Sequence, residues 1–228
     1  RIVDPSRDLD FAGDLLIAEG VIREAKRGIH AAGGPEADRS PILPVELNGV
    51  SLSINGAAAG LYSVNSSEIH FVVPIGVSVG IATFVVNNNG KVFRGFAPIV
   101  PGQPDIFTVP QGPGGRAVVC NVTNAGSGCI MEPFSVTTPD STTGAPLPTA
   151  LEIKVTGVRG ALTSEVSVTI GTTVITPTRV INNVNFFGQD LITITLPASL
   201  AGAGDVPVIV TFTRGGTFTS RGTATAPR

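Results

Sequence analysis

The sequence has no tryptophan, one tyrosine, one methionine and two cysteines in 228 residues, and aromatics make up 5% of it. So few rings give poor material for a sugar-stacking platform, which needs several flat apolar faces side by side. Charge is scarce as well: Asp, Glu, Lys and Arg together reach 14%, against about 25% in an ordinary soluble domain, and the net charge is −2. Nucleic acid and anionic membranes are held by clustered Lys and Arg, so neither partner is expected. A long uninterrupted apolar run is also missing. The most apolar stretch, "EIHFVVPIGVSVGIATFVV" from Glu68 to Val86, is cut by His70, Pro74, Gly76 and Gly80. A spanning helix needs about 20 mostly apolar residues in one run, so membrane insertion is not expected.

What remains is punctuation and β-formers. There are 28 glycines, 18 prolines and 42% apolar residues, with Val, Ile and Thr abundant. That mixture favours short strands joined by tight turns, and the expected class is all-β. The Glu68–Val86 stretch itself resolves into two strands: "EIHFVV" alternates Ile69, Phe71 and Val73 with polar positions, and "IATFVV" follows after a Pro-Ile-Gly bend.

The same arrangement occurs twice. "GVSLSING…SSEIHFVVPIGVSVGIATFVVNNNGKVFRG" parallels "EVSVTIGT…GQDLITITLPASLAGAGDVPVIVTFTRGGTFTSRG". Val50–Ile54 aligns with Val166–Ile170, Ile69–Pro74 with Ile192–Pro197, and Thr83–Val86 with Val208–Thr211. Each half has a strand ending at a glycine turn, a strand ending at a proline, a small-residue loop, and a strand running into a Gly-containing hairpin. That rhythm suits a Greek-key sandwich. The opening strands are sought upstream, in "DLLIAEG" (14–20) and "ALEIKVTG" (150–157).

The expected layout is an extended N-terminal segment (1–10), a first sandwich (11–100), a stiff Pro/Gly linker (101–115) and a second sandwich (116–228). A short helical turn is expected around Arg23 to Arg27. "EPFSVTTPDSTTGAPLPT" is expected to be an irregular, exposed loop. Because the sequence starts at Arg1 rather than Met, it is expected to be a processed or excised piece of a longer product.

"GVSLSINGAAAGLYSVNSSEIHFVVPIGVSVGIATFVV", continuing to "PDIFT", resembles a C-terminal Ig-like module of secreted bacterial proteins and, more broadly, the IPT/TIG class of Ig-like domains. The fixed elements are "V-x-V-x-hydrophobic-N-G", then "Q/E-I-N/H-F-x-V-P", then "G-x-A-x-V-V-V". Residues 46 to 108 carry the likeness well. Residues 150 to 221 carry it more loosely, since "VINNVNFFGQD" replaces the aromatic-Ser/Asn stretch. The resemblance implies two tandem Ig-like sandwiches, a setting outside the cytoplasm, and modules that space, dock or adhere without catalysing.

Cys120 and Cys129 enclose "NVTNAGSG", a loop of turn formers, and a disulfide there would stabilise by roughly 2–3 kcal/mol in an oxidising compartment. Two unpaired thiols are the alternative. Zinc would need two further ligands. The N-terminal "RIVDPSRDLDFAGDLLIAEGVI" also resembles opening strands of amidohydrolases, but those enzymes need a His-x-His pair, and this chain has only His30 and His70. Asp4, Asp8, Asp10 and Asp14 form an acidic series in which only Asp8-x-Asp10 fits a calcium loop, so a solvated strand edge is the simpler reading. His70 falls on the polar side of its strand, which suits a surface or satisfied histidine better than a ligand or base. No G-x-S-x-G elbow occurs, and "GPGGR" (112–116) lacks the Lys-Ser/Thr ending of a phosphate loop. No catalytic residue, metal or cofactor is expected. Asn65 and Asn121 head glycosylation sequons.

The function these features suggest is a non-catalytic structural or adhesive protein at the bacterial cell surface. Its partner would be itself, in a filament or array, or neighbouring domains of a longer protein. Ile2, Val3, Leu9 and Phe11 are the candidate strand donors, because an unpaired strand edge is a template for strand addition. An accessory carbohydrate- or partner-binding module is the alternative, and a small hydrolase ranks last.

Overall fold

The computed structural model describes residues 43–110, 115–124 and 134–220 in full, and the backbone of four strands nearer the N-terminus. The chain is all-β. Among the described residues the only helical elements are two single 3-10 turns, Thr163–Glu165 and Ala198–Leu200. It divides into two compact units, Arg1–Val100 and Pro101–Arg228.

The first unit begins with two separate ribbons. β1 (Ile2–Asp4) pairs with β2 (Leu9–Phe11), and β3 (Asp14–Ala18) with β4 (Val21–Lys26). Its main sheet is built from β5 (Glu46–Leu47), β6 (Val50–Ile54), β7 (Ala57–Ala58), β10 (Gly80–Asn88) and β11 (Lys91–Ile99), in the order β11-β10-β6-β5 with β7 also on β6. A third ribbon joins β8 (Gly60–Val64) to β9 (Ile69–Val72). Three turns in the main sheet are Asn-Gly pairs, Asn48-Gly49, Asn55-Gly56 and Asn89-Gly90, with φ between 49° and 86°. Positive φ at both central residues defines the type I′ hairpin, whose twist matches that of the strands it joins. The core consists of Val50, Leu52, Ala59, Leu61 and Val64, with Leu47, Ile69, Phe71, Phe84 and Val86 packed on it only partly buried.

The second unit is a sandwich. One sheet joins β12 (Asp105–Ile106) and β15 (Val119–Asn121), both against the same strand β18 (Ala150–Thr156), to β22 (Asp190–Thr195) and β21 (Arg179–Asn182). The facing sheet has the order β20 (Thr173–Ile175), β19 (Val166–Ile170), β23 (Val208–Thr213), β24 (Thr217–Thr219). Two small ribbons complete it: β13 (Thr108–Val109) with β14 (Arg116–Ala117), and β16 (Thr137–Pro139) with β17 (Pro146–Pro148). The inward positions of both sheets meet in one core. Leu151, Ile153 and Val155 of β18 and Ile192 and Ile194 of β22 join Val166, Val168 and Ile170 of β19 and Val208, Val210 and Phe212 of β23. Alternate residues on each strand are buried, as a period of two requires when one face is covered.

Several expectations are corrected. Of the expected stiff linker (101–115), residues 105–109 are paired within the second unit: Asp105 with Thr156, Ile106 with Val155, and Thr108–Val109 with Arg116–Ala117. The Gln103 N–H donates to the Gly157 carbonyl at 3.1 Å. A Cβ on Gly157, where φ is +79°, would lie 1.9 Å from the Gln103 carbonyl oxygen, so only glycine admits this approach. The helical turn around Arg23 is instead strand, since pairing along Val21–Lys26 satisfies the backbone that one turn of helix would leave mostly open. "TTPDSTTGAPLP" forms a closed hairpin rather than an irregular loop. The Asp140 carboxylate accepts from the Thr142 and Thr143 N–H groups and the Thr143 hydroxyl, and the prolines sit in a two-stranded ribbon that asks little of them as donors. The strand β3 does not pair with β9 as β18 pairs with β22; it pairs with β4.

The register also moves one alignment by a residue. Phe84 lies opposite Ile54 and Val86 opposite Leu52, just as Val208 lies opposite Ile170 and Val210 opposite Val168. Phe84, not Thr83, is therefore the counterpart of Val208. A slip of one would have turned the apolar positions outward.

Candidate interaction surface

The two units differ most at the strand that ends in proline. In the second unit β22 is central: β18 lies on one side and β21 on the other, and Ile192, Ile194 and Leu196 are at most 2% exposed. In the first unit the counterpart β9 pairs with β8 and, among the described residues, with nothing on its other side. Its aligned residues Ile69 and Phe71 are only partly buried, and Val73 is 43% exposed. Phe71 meets Phe84 edge-on, with centroids 6.4 Å apart. The apolar alternation of β9 is that of an inner strand, but it is covered like an edge.

A buried carboxylate stands near the head of each strand, though not at the same register: Asp190 is in phase with the inward Ile192 and Ile194, whereas Glu68 precedes Ile69 by one residue and alternates with His70. Asp190 is 1% exposed; its Oδ2 accepts from the Val158 N–H at 3.1 Å, and its Oδ1 lies 3.7 Å from Arg159 Nε. Burial pushes its pKa up, opposed by the Val158 hydrogen bond and by Arg159. Val158 and Arg159 directly follow β18, so the strand beside β22 also supplies the groups that hold its carboxylate. In the first unit the Glu68 side chain is 5% exposed, and Oε2 lies 2.9 Å from His70 Nε2. Its Oε1 is buried and finds no hydrogen-bond partner among the described residues. Asp190 Oδ1 is likewise without one, and an orphaned buried acceptor costs roughly 1–3 kcal/mol.

Neither carboxylate was singled out in the sequence. Asp190 had a signal, since it stands in phase with the inward Ile192 and Ile194. Glu68 is marked by the turn before it: Asn65 Oδ1 accepts from the Ser67 and Glu68 N–H groups and from the Ser67 hydroxyl, fixing the chain where the strand begins.

The expected site residues fall as follows. Ile2 lies opposite Phe11 and Val3 opposite Asp10, while Leu9 lies opposite Asp4, so the four candidate donors share one ribbon rather than an extended segment. Cys120 is buried in β15 opposite Glu152, and no cysteine among the described residues is free; Cys129 lies outside them. Asn65 is half-buried in its turn. Asn121 is 8% exposed, its Nδ2 donates to Thr138 Oγ1 at 2.8 Å, and its Oδ1 accepts from the Thr123 N–H and hydroxyl. A sugar on that nitrogen would displace its hydrogen bond to Thr138. His70 is a surface histidine satisfied by Glu68. The side chains of Asp4, Asp10 and Asp14, and the whole of Asp8 and His30, lie outside the described residues.

Apolar groups are exposed at two further places. On the outer face of the first unit's sheet, Ile81 and Phe96 are 73% and 74% exposed. In the second unit, the loop before β22 presents Val184, Phe186 and Phe187, and its neck is tied by a hydrogen bond from Asn183 Nδ2 to Gln189 Oε1. No helix among the described residues is long and apolar enough to cross a membrane. Comparison of the chain with protein-family models, curated proteins and solved structures gives no match.

Proposed function

We propose that this chain is a non-catalytic structural protein of the bacterial cell surface, built of tandem Ig-like units and assembled by addition of N-terminal strands. The observation that carries the reading is the incomplete pairing of the first unit, where three two-stranded ribbons stand apart from the main sheet among the described residues. An isolated two-stranded ribbon is marginal in water, and both its outer edges invite a further strand. Support for the Ig-like part comes from the second unit, whose strands follow in chain order as A (β12, β15), B, C, C′, D, E, F and G. They sort into A-B-E-D and C′-C-F-G sheets, the arrangement of Ig sandwiches. The same reading takes Cys120 and Cys129 as a disulfide, in keeping with an exported protein. Negative-stain imaging and sedimentation of the full chain and of a chain lacking residues 1–12 test it. Ordered assemblies are expected for the first and none for the second; a truncated chain that still polymerises sinks the strand-addition mechanism.

The second reading, an accessory module of a larger secreted protein that binds carbohydrate or a partner, draws on the exposed Val184, Phe186 and Phe187. Saturable binding on a glycan panel, lost in Phe186→Ala, would favour it.

A further inference from the structure

We propose that Asn48 is a site of spontaneous modification: it loses its side-chain amide, ahead of the two other Asn-Gly asparagines, to give aspartate and isoaspartate, and the isoaspartate detaches β5 from the main sheet. The inference is independent of the assembly reading above.

An asparagine followed by glycine sets a nucleophile beside an electrophile. The glycine main-chain nitrogen, deprotonated by hydroxide, attacks the asparagine Cγ; the Cγ–Nδ2 bond breaks, ammonia leaves, and a cyclic imide remains. Water then opens the imide at either carbonyl. One opening gives aspartate, the other isoaspartate, in which the main chain runs through the former side-chain carbons. Glycine has no Cβ to screen its nitrogen, so this pair is the most reactive of its kind. The sequence contains three, Asn48-Gly49, Asn55-Gly56 and Asn89-Gly90, and does not separate them.

The fold does. At Asn55 the amide is held: Oδ1 accepts from the Thr83 N–H at 2.8 Å, and the Asn55 N–H donates to the Thr83 carbonyl at 2.9 Å. At Asn89 the attacking nitrogen is occupied, because the Gly90 N–H donates to Asn87 Oδ1 at 2.8 Å, and Asn89 Nδ2 donates to Asn88 Oδ1 at 3.2 Å. That turn also closes strands paired from Gly80–Ile99 to Asn88–Lys91. Asn48 is exposed, and among the described residues neither its side chain nor the Gly49 N–H makes a hydrogen bond. Attack requires the turn to open. β5 stands last in its sheet and pairs only Glu46 with Ser51 and Leu47 with Val50, so little pairing opposes that opening. An extra main-chain atom in a two-residue turn then destroys the type I′ geometry that sets Leu47 opposite Val50.

The full chain, kept folded at mildly alkaline pH in heavy-oxygen water, tests this by peptide mass mapping with an isoaspartyl methyltransferase as second readout. Asn48 should convert roughly twofold to tenfold faster than Asn55 or Asn89, the scale of one hydrogen bond. In urea the three rates should converge. A lead that survives unfolding would belong to the flanking sequence and overturn the structural assignment, as would Asn55 or Asn89 matching or outrunning Asn48 in the folded chain. Asn87→Ala frees the Gly90 N–H and should raise the Asn89 rate by a similar factor; an unchanged rate would overturn protection by that hydrogen bond. Hydrogen exchange at Leu47 and Val50 should lose protection in the isoaspartate product and keep it in the Asn48→Asp chain. Protection kept in both would overturn the release of β5.

Discussion

The inner strand of the second unit is sealed on both sides, while its counterpart in the first unit is covered on one among the described residues. Both are aliphatic, both end in proline and both have a buried carboxylate near the head, yet Ile192 and Ile194 are fully buried while Ile69 and Phe71 are not. The difference teaches that a strand's sequence fixes which face turns inward, whereas its neighbours decide how much that face contributes. β18 gives β22 a ladder, three aliphatic side chains and, just beyond its end, an arginine and an N–H for the carboxylate. With β8 alone beside it among the described residues, β9 keeps a partly exposed apolar stripe, while a buried carboxylate oxygen without a hydrogen bond occurs in both units, at Glu68 Oε1 and Asp190 Oδ1.

That contrast can be broken by experiment, most strongly in the second unit's core. Phe212→Ala should cost that unit about 3–5 kcal/mol, since the ring is 1% exposed and its loss leaves a cavity. Urea denaturation should show one transition moving while the other stays. A sharper comparison uses one residue type at one register. Val210→Ala should cost about 2–3 kcal/mol and Val86→Ala about 1 kcal/mol, because Val210 is fully buried and Val86 is not; equal costs would mean the first unit is as well packed as the second. Asp190→Ala should cost about 1–3 kcal/mol by stranding the Val158 N–H, whereas Asp190→Asn keeps an acceptor and sheds the buried charge, so it should cost much less.

The smallest effect is a pH dependence confined to the second unit. Arg214 donates from Nε to Glu165 Oε1 at 2.7 Å and holds the Glu165 pKa at about 2, below its ordinary 4.5, helped by the Leu162 N–H. A depressed carboxylate pKa adds stability above about 4.5 that is lost as the pH falls toward about 2. Acid titration of the urea midpoint should therefore fall more steeply across that window in the parent than in Arg214→Gln.

Much of the fold was legible because it rests on local rules. Alternation placed the inward faces of β6, β18, β19 and β22, and Pro74 and Pro197 marked where two strands stop. What could not be read was pairing. Nothing local in "DLLIAEG" says whether it joins Val21–Lys26 or β9, because either neighbour satisfies an aliphatic strand. "PGQPDIFTVP" looked like a spacer because Pro and Gly dominate it, and its place in the sandwich depends on Gly157, far along the chain. The site was the least legible part. A buried carboxylate is defined by what surrounds it, and for Glu68 the contacts shown come from His70 of β9 and the Asn65 turn.

The three Asn-Gly turns bear on the speed of folding. Each pairs strands only a few residues apart, and hairpins of this kind close in roughly 1–10 μs. β18 and β22, by contrast, must meet across the whole of β19, β20 and β21 before any of their pairing counts. Local contacts form ahead of distant ones, so the less buried unit should reach most of its hairpins while the better-packed one is still searching for its partners.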